Sequence, residues 1–287
     1  MCDLRIKILI KKIIHNFFKA FTDTKSGSIL FYHIVLKSRF GIEFIDLLTG
    51  NNSRNLIINV TNILASKKLQ KLSTKSKNVE EIVDLCYNFR FSLPDIPLHS
   101  CYEINLTPYQ IKSEIIRFLK LMDSFNPKII LEIGTAMGGT LFLFSRFVSS
   151  DAILISIDLL KGKIGGKNTA FIKSFAQKKQ KIILIRSDSH KLSTFQRIKK
   201  ILKNMKIDIL FIDGDHTYEG VKKDFEMYKP LVKPEGLICF HDIIQGSNDK
   251  VGGVPNFWNE IRENCKTNEI IEKYHQEGYG IGIIFNS

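Results

Sequence analysis

Cysteine, proline and tryptophan are scarce in this chain, with five, seven and one copies in 287 residues. The cysteines, Cys2, Cys86, Cys101, Cys239 and Cys265, are odd in number, scattered, and form no CxxC pair. That excludes a redox dithiol or a zinc site of paired cysteines and makes a reducing compartment the default. No internal repeat or low-complexity tract is present, and the Ile, Leu, Val and Phe content excludes wholesale disorder.

Long uncharged apolar runs are missing as well. The first apolar segment, residues 6–21, is interrupted by Lys7, Lys11, Lys12, His15 and Lys19. It therefore reads as neither a signal-peptide core nor a membrane span, and the expected location is cytoplasmic. Acidic residues are comparatively few: 29 Asp and Glu stand against 42 Lys and Arg, a net charge of +13. Such a balance attracts nucleic acid, anionic lipid or an acidic cofactor. The lysines are spread along almost every segment, so a solvated basic surface is the plainer reading and nucleic acid the alternative partner.

What is present falls into two regions, with a proline-bearing linker between about residues 88 and 107 that includes FSLPDIPLHS. Residues 1–104 read as mainly helical, with a helix over 6–21, a polar turn at 49–55 and another helix around 79–88. In the first, Ile6, Ile10, Ile13, Ile14, Phe17, Phe18 and Phe21 recur at helical spacing among basic residues. Packing on its own domain or on a partner subunit, as in a homo-oligomer, accounts for such a helix; peripheral contact with an anionic membrane is the alternative.

From residue 105 the pattern becomes a doubly wound α/β one. A helix introduced by Thr107 and Pro108 is followed by KIILEIG (128–134), ILISID (153–158), KIILIR (181–186), IDILFID (207–213) and GLICFHD (236–242). These nearly continuous apolar runs suit parallel strands covered on both faces. The last runs, 269–274 and 280–285, suit an antiparallel pair at the sheet edge.

Open sheets of this kind bind ligands at the carboxyl ends of their strands, and those ends are polar here. After the first run comes LEIGTAMGGT, in which Gly134, Gly138 and Gly139 allow a tight turn before a helix. Glu132 ahead of the first glycine would repel a pyrophosphate and attract an ammonium, so the segment departs from a dinucleotide fingerprint. Asp158, twenty residues beyond Gly138, is placed to accept from ribose hydroxyls. Asp188 after the third run either meets an adenine amine or caps the next helix. Asp213, His241 and Asp242 bring two carboxylates and an imidazole to adjoining strand ends, a set suited to Mg²⁺ or Mn²⁺; capping and turn roles are the alternative. His216 stands at the mouth of the same site, as a proton acceptor or as a plain surface histidine.

EIGTAMGGT, the acid of SIDL and above all FIDGDHTYEGVKKDFEMYKPLVKPEGLICFHDI resemble the class I S-adenosylmethionine-dependent methyltransferases, in particular the family-24-like group of macrocin-type and cephalosporin-hydroxylase-type O-methyltransferases. The resemblance covers roughly residues 105–287. It implies a seven-stranded Rossmann-like sheet, with Glu132, Gly134, Thr135, Ala136, Gly138, Gly139 and Thr140 around the methionine part of S-adenosylmethionine. Asp158 would hold the ribose, and Asp188 and Ser189 would lie near the adenine. It further implies a metal at Asp213 and Asp242, with Asp213 and His216 catalytic and His216 the general base. Two positions depart from the family pattern: His241 stands where an acid is frequent, and Ala136 where the loop carries its middle glycine. The acceptor implied is a hydroxyl of a sugar, glycan or glycosylated small molecule, with catechol-like phenols the alternative; loops such as 161–168 and the first hundred residues would select it. The rival readings are a noncatalytic or RNA-directed binding protein and a nicotinamide-dependent oxidoreductase.

Overall fold

The computed structural model describes residues 53–93, 103–159, 169–273 and 275–287. The expected helix over 6–21, residues 94–102 of the linker and the loop at 161–168 lie outside them; the turn expected at 49–55 does so up to residue 52, and Ser53 onward is already helix. Residues 69–89 and 105–287 form one compact unit, which carries the sheet.

Helix α1 (Ser53–Ser73) leads to α2 (Val79–Asn88), which matches the expected helix. Asn78 starts α2 by accepting from the backbone N–H of Glu81, and Glu80 and Glu81 place negative charge at the positive end of the helix dipole. The short strands Arg90–Phe91 and Ile104–Asn105 precede α3 (Lys112–Phe125). This helix begins later than Thr107 and Pro108 suggested. The Thr107 hydroxyl donates to the Tyr87 carbonyl at 3.0 Å instead of capping a helix, so 107–110 form a loop.

The sheet then runs β1 (Ile129–Ile133), α4 (Gly139–Arg146), β2 (Ile153–Asp158), α5 (Thr169–Lys173), β3 (Lys181–Arg186), α6 (Leu192–Leu202), β4 (Ile207–Ile212), α7 (Tyr218–Tyr228), β5 (Val232–His241), α8 (Asn248–Val251), α9 (Val254–Arg262), β6 (Thr267–Ile270) and β7 (Ile281–Phe285). Strand order is β3-β2-β1-β4-β5-β7-β6. The first five strands are parallel; β7 runs antiparallel to both β5 and β6, so the expected terminal pair is present and lies at the sheet edge. Strand β5 starts earlier than expected, at Val232, with a register irregularity around Pro234 and Glu235 that tolerates the missing proline N–H.

Strands β1 and β4 are buried at every position because helices cover both faces. Phe118, Phe144 and Phe211 pack edge-on or tilted on one face, with ring centroids 5.3–5.9 Å apart. Phe225, Phe240, Phe257 and Trp258 do the same on the other. After β1 the chain crosses to β2 on one side, and later to β4 on the other. This topological switch opens a crevice at the carboxyl ends of β1 and β4, where an open α/β sheet takes its ligands.

Candidate functional site

The ends of β1 and β4 are nearly in contact. The Asp213 N–H donates to the Ile133 carbonyl at 2.8 Å, and a side chain at Gly134 (φ 100°) would come within 1.9 Å of the Asp213 carbonyl oxygen. Glycine is thus demanded at 134 by the neighbouring strand end itself. Two connected cavities flank this point. A chamber of about 500 Å³ extends toward β5 and the 107–110 loop, and a cleft of about 560 Å³ extends toward β2 and β3. They share Gly134, Ala136, Asp213 and His216. Three non-glycine residues with positive φ, Ala136 (43°), Asp242 (62°) and Tyr279 (61°), line the chamber, so backbone strain is concentrated at its wall.

At the chamber floor the acidic tips of β4 and β5 meet two imidazoles. Asp213 Oδ1 lies 3.2 Å from His241 Nδ1 and 3.4 Å from His216 Nε2; Asp242 Oδ2 lies 3.3 Å from His241 Nδ1 and 3.5 Å from His216 Nδ1. His216 Nδ1 is also 2.5 Å from the Lys250 carbonyl oxygen, which leaves Nε2 as its lone-pair nitrogen when the ring is neutral. Asp213, His216 and Asp242 each offer one ligand atom, all within 4.8 Å of one another. His241 borders the cluster through Nδ1, and its buried Nε2 has no hydrogen-bond partner.

The charges answer one another. Burial opposes ionisation of Asp213, but His241 and His216 together outweigh it and hold the carboxyl well below the usual range. The hydrogen bond to Asp213 raises His216 to about 9 against its partial burial. Burial pushes His241 down, yet Asp213 and Asp242 carry it up to about 10.

In the cleft, Asp158 accepts from the Leu159 N–H at 2.7 Å and faces Arg186 at 3.4 Å; burial raises its carboxyl, and Arg186 offsets part of that. Asp188 accepts from the His190 N–H at 2.8 Å, an Asx turn ahead of α6, whose N-cap is Lys191. Asp158, Asp188, Ser189 and His190 all line the cleft. His190 Nε2 lies 3.2 Å from the buried Asp224 of α7.

Of the residues singled out from sequence, Gly134, Thr135, Ala136, Gly139, Thr140, Asp213, His216, His241 and Asp242 line the chamber. Two lie off both cavities: Gly138, the left-handed N-cap of α4, and Glu132. Glu132 is fully buried and accepts from the Ser156 hydroxyl at 2.5 Å; its other oxygen has no partner, and burial pushes its carboxyl up to about 8. Sequence reasoning missed Tyr109, Gln110, Lys250, Glu277 and Tyr279 of the chamber wall and His190 of the cleft. Only His190 carried a usable signal, as a polar residue two places beyond the strand-end Asp188; the others reach the site from distant segments.

Residues 131–243 match the family model described as a methyltransferase domain. A curated relative from Acanthamoeba polyphaga mimivirus, uncharacterized protein R132, is 32% identical over 127 residues, covering 39% of this chain and 50% of its own length. Uncharacterized protein y4gI of Sinorhizobium fredii is 25% identical over 147 residues, 49% of this chain and 16% of its own length. The chain therefore spans half or less of these relatives. Among solved structures, the O-methyltransferase from Bacillus cereus in complex with SAH is 18% identical, with a TM-score of 0.49, covering 76% of this chain and 96% of that one. TomG from Streptomyces achromogenes is 14% identical, with a TM-score of 0.48, covering 74% and 91%. The residues matched by the methyltransferase-domain model, 131–243, include the glycine turn, the cleft acids and the Asp213–Asp242 cluster.

Proposed function

We propose that the chain is an S-adenosylmethionine-dependent O-methyltransferase, assisted by a divalent cation such as Mg²⁺ or Mn²⁺, acting on a hydroxyl of a sugar, glycan or glycosylated small molecule. The observation that carries the reading is the pair of cavities meeting at Gly134, Ala136, Asp213 and His216. Such a junction lets a donor in the cleft present its reactive end to an acceptor in the chamber. S-adenosylmethionine supplies a sulfonium methyl group, transferred as the C–S bond breaks and an O–C bond forms. Asp158 suits ribose hydroxyls, and Asp188, Ser189 and His190, which line the same cleft, would suit the base. Asp213, Asp242 and His216 fit a divalent cation in atom type and spacing. When bound, that ion lowers the pKa of a coordinated hydroxyl and fixes its direction.

His216, which lines the chamber, serves as the proton acceptor in its neutral form, with Nδ1 oriented by the Lys250 carbonyl; because Asp213 raises its pKa to about 9, that form is gained as pH rises toward this value. A second reading makes His216 a metal ligand, favoured by its place in the three-atom cluster. Titration with Mn²⁺ separates the two. In His216→Ala, unchanged Mn²⁺ affinity with methyl transfer reduced roughly 10²–10⁴-fold identifies the base, whereas lost affinity identifies the ligand. The function itself is tested with isotope-labelled S-adenosylmethionine and a panel of glycosides. Asp213→Ala and His216→Ala should each reduce transfer by orders of magnitude; full activity in both would overturn the assignment.

A further inference from the structure

We infer that Gln110 is a positioning residue that couples the glycine-turn side of the site to the metal acid, so that donor and cation bind with mutual dependence. The inference rests on the proposed function; Gln110 itself lies outside the sequence motifs, while both of its side-chain partners, Thr140 and Asp213, lie within them. Gln110 is 4% exposed, and both ends of its amide are engaged. Nε2 donates to Asp213 Oδ2 at 2.9 Å, and Oε1 accepts from the Thr140 hydroxyl at 2.9 Å. The amide has one sensible orientation, because an ionised Asp213 can only accept. With Oδ2 held by Gln110, Asp213 turns the single oxygen Oδ1 toward His216 and His241.

The backbone that carries Gln110 is fixed from two sides. The Tyr87 hydroxyl donates to the Gln110 carbonyl, and the Thr107 hydroxyl donates to the Tyr87 carbonyl. The loop also lies directly on the start of α4: a side chain at Gly139 would come within 2.2 Å of the Leu106 carbonyl oxygen. Thr140 is the second residue of α4, immediately after the turn from Gly134 to Gly138. Any adjustment of that turn on donor binding reaches Asp213 through one hydroxyl and one amide. Linkage then requires the cation to favour the donor by the same factor as the donor favours the cation.

The test is calorimetric titration of the full chain with Mn²⁺, with and without saturating S-adenosylhomocysteine. In the wild type the ligand should tighten Mn²⁺ by roughly 5-fold or more, the low end of usual coupling. Gln110→Met keeps the length and removes the hydrogen bonds. It should weaken Mn²⁺ by about 10–100-fold, the range for losing a group that orients a metal ligand, and bring the coupling ratio close to one. Thr140→Val should also lower the ratio while leaving Gln110 in place, and Thr140→Ser, which keeps the hydroxyl, should restore it. Residues that merely hold the fold would shift thermal stability and leave the ratio alone. A wild-type ratio of one, or an unchanged ratio in Gln110→Met or, where that variant fails to fold, in Thr140→Val, overturns the inference while the proposed function stands. A wild type that binds neither Mn²⁺ nor S-adenosylhomocysteine overturns both.

Discussion

A buried acid with one unpartnered oxygen has consequences at the scale of a single residue. Burial raises the Glu132 carboxyl from 4.5 to about 8, with the Ser156 hydroxyl opposing and Asp213 adding to the rise. The folded state therefore holds a proton that the unfolded state has released across that interval. The contribution of Glu132 to stability is complete below pH 4.5 and is lost as pH rises to 8. Glu132→Gln removes the titration and keeps an oxygen for Ser156. Relative to wild type, the variant should gain about 1.4 kcal/mol per pH unit between pH 5 and 8, measured by urea unfolding of the ligand-free protein. A constant difference over that range would show that Glu132 is ionised in the fold. Gly252 is the opposite kind of residue, demanded by sterics: φ is +55°, and a β-carbon would sit 2.1 Å from the His216 carbonyl oxygen. Gly252→Ala should cost roughly 1–3 kcal/mol for the forced backbone conformation and displace the 213–218 turn. Unchanged unfolding midpoints and Mn²⁺ binding would refute this.

At the scale of elements, the chamber wall at residues 277–279 hangs on a residue far away in sequence. Glu114 of α3 is buried and accepts from the Glu272 N–H at 3.0 Å, the Gln276 side-chain amide at 2.7 Å and the Gly280 N–H at 3.0 Å. Those bonds draw the chain away from the sheet after Ile270, and β6 ends there although the apolar pattern suggested continuation. Glu114→Gln turns an amide donor toward groups that can only donate. It should destabilise by about 1–3 kcal/mol and speed hydrogen exchange over 271–280 ahead of the rest of the sheet. Uniform exchange across the domain would contradict this local role. The parallel strands themselves were legible because burial on both faces leaves a nearly unbroken apolar run. The glycine turn and the acids at 158, 213 and 242 were legible because they follow those runs directly. The helix start at 112, Gln110 and the wall at 277–279 were hidden, because hydrogen bonds to Tyr87, Asp213 and Glu114 decide them and no local pattern encodes such partners.

For the whole molecule, the excess of positive charge and the paired cavities lead in different directions, and the structure helps to weigh them. Lys199, Lys222, Lys229, Lys233 and Lys266 each lie over an aromatic ring, at 4.7–5.8 Å from its centroid, and the five rings are spread over four elements. Their stems cover aromatic surface, and Lys222 and Lys233 also pair with Glu260 and Asp208, as in a dispersed basic surface rather than one concentrated patch. The cavities, by contrast, converge on one point of the sheet where β1, β4 and β5 end. A ligand gripped there stabilises the strand ends on which the sheet depends. At a hundred times its dissociation constant, S-adenosylhomocysteine should add about 2.7 kcal/mol, which for a domain of this size raises the thermal midpoint by roughly 5–10 °C. Because the two sites share Asp213, Mn²⁺ and the nucleoside together should raise it by more than the sum of their separate shifts. Strict additivity would mean that the chamber and the cleft act as independent sites, and no shift with either ligand would mean that the shared junction is not where this protein binds.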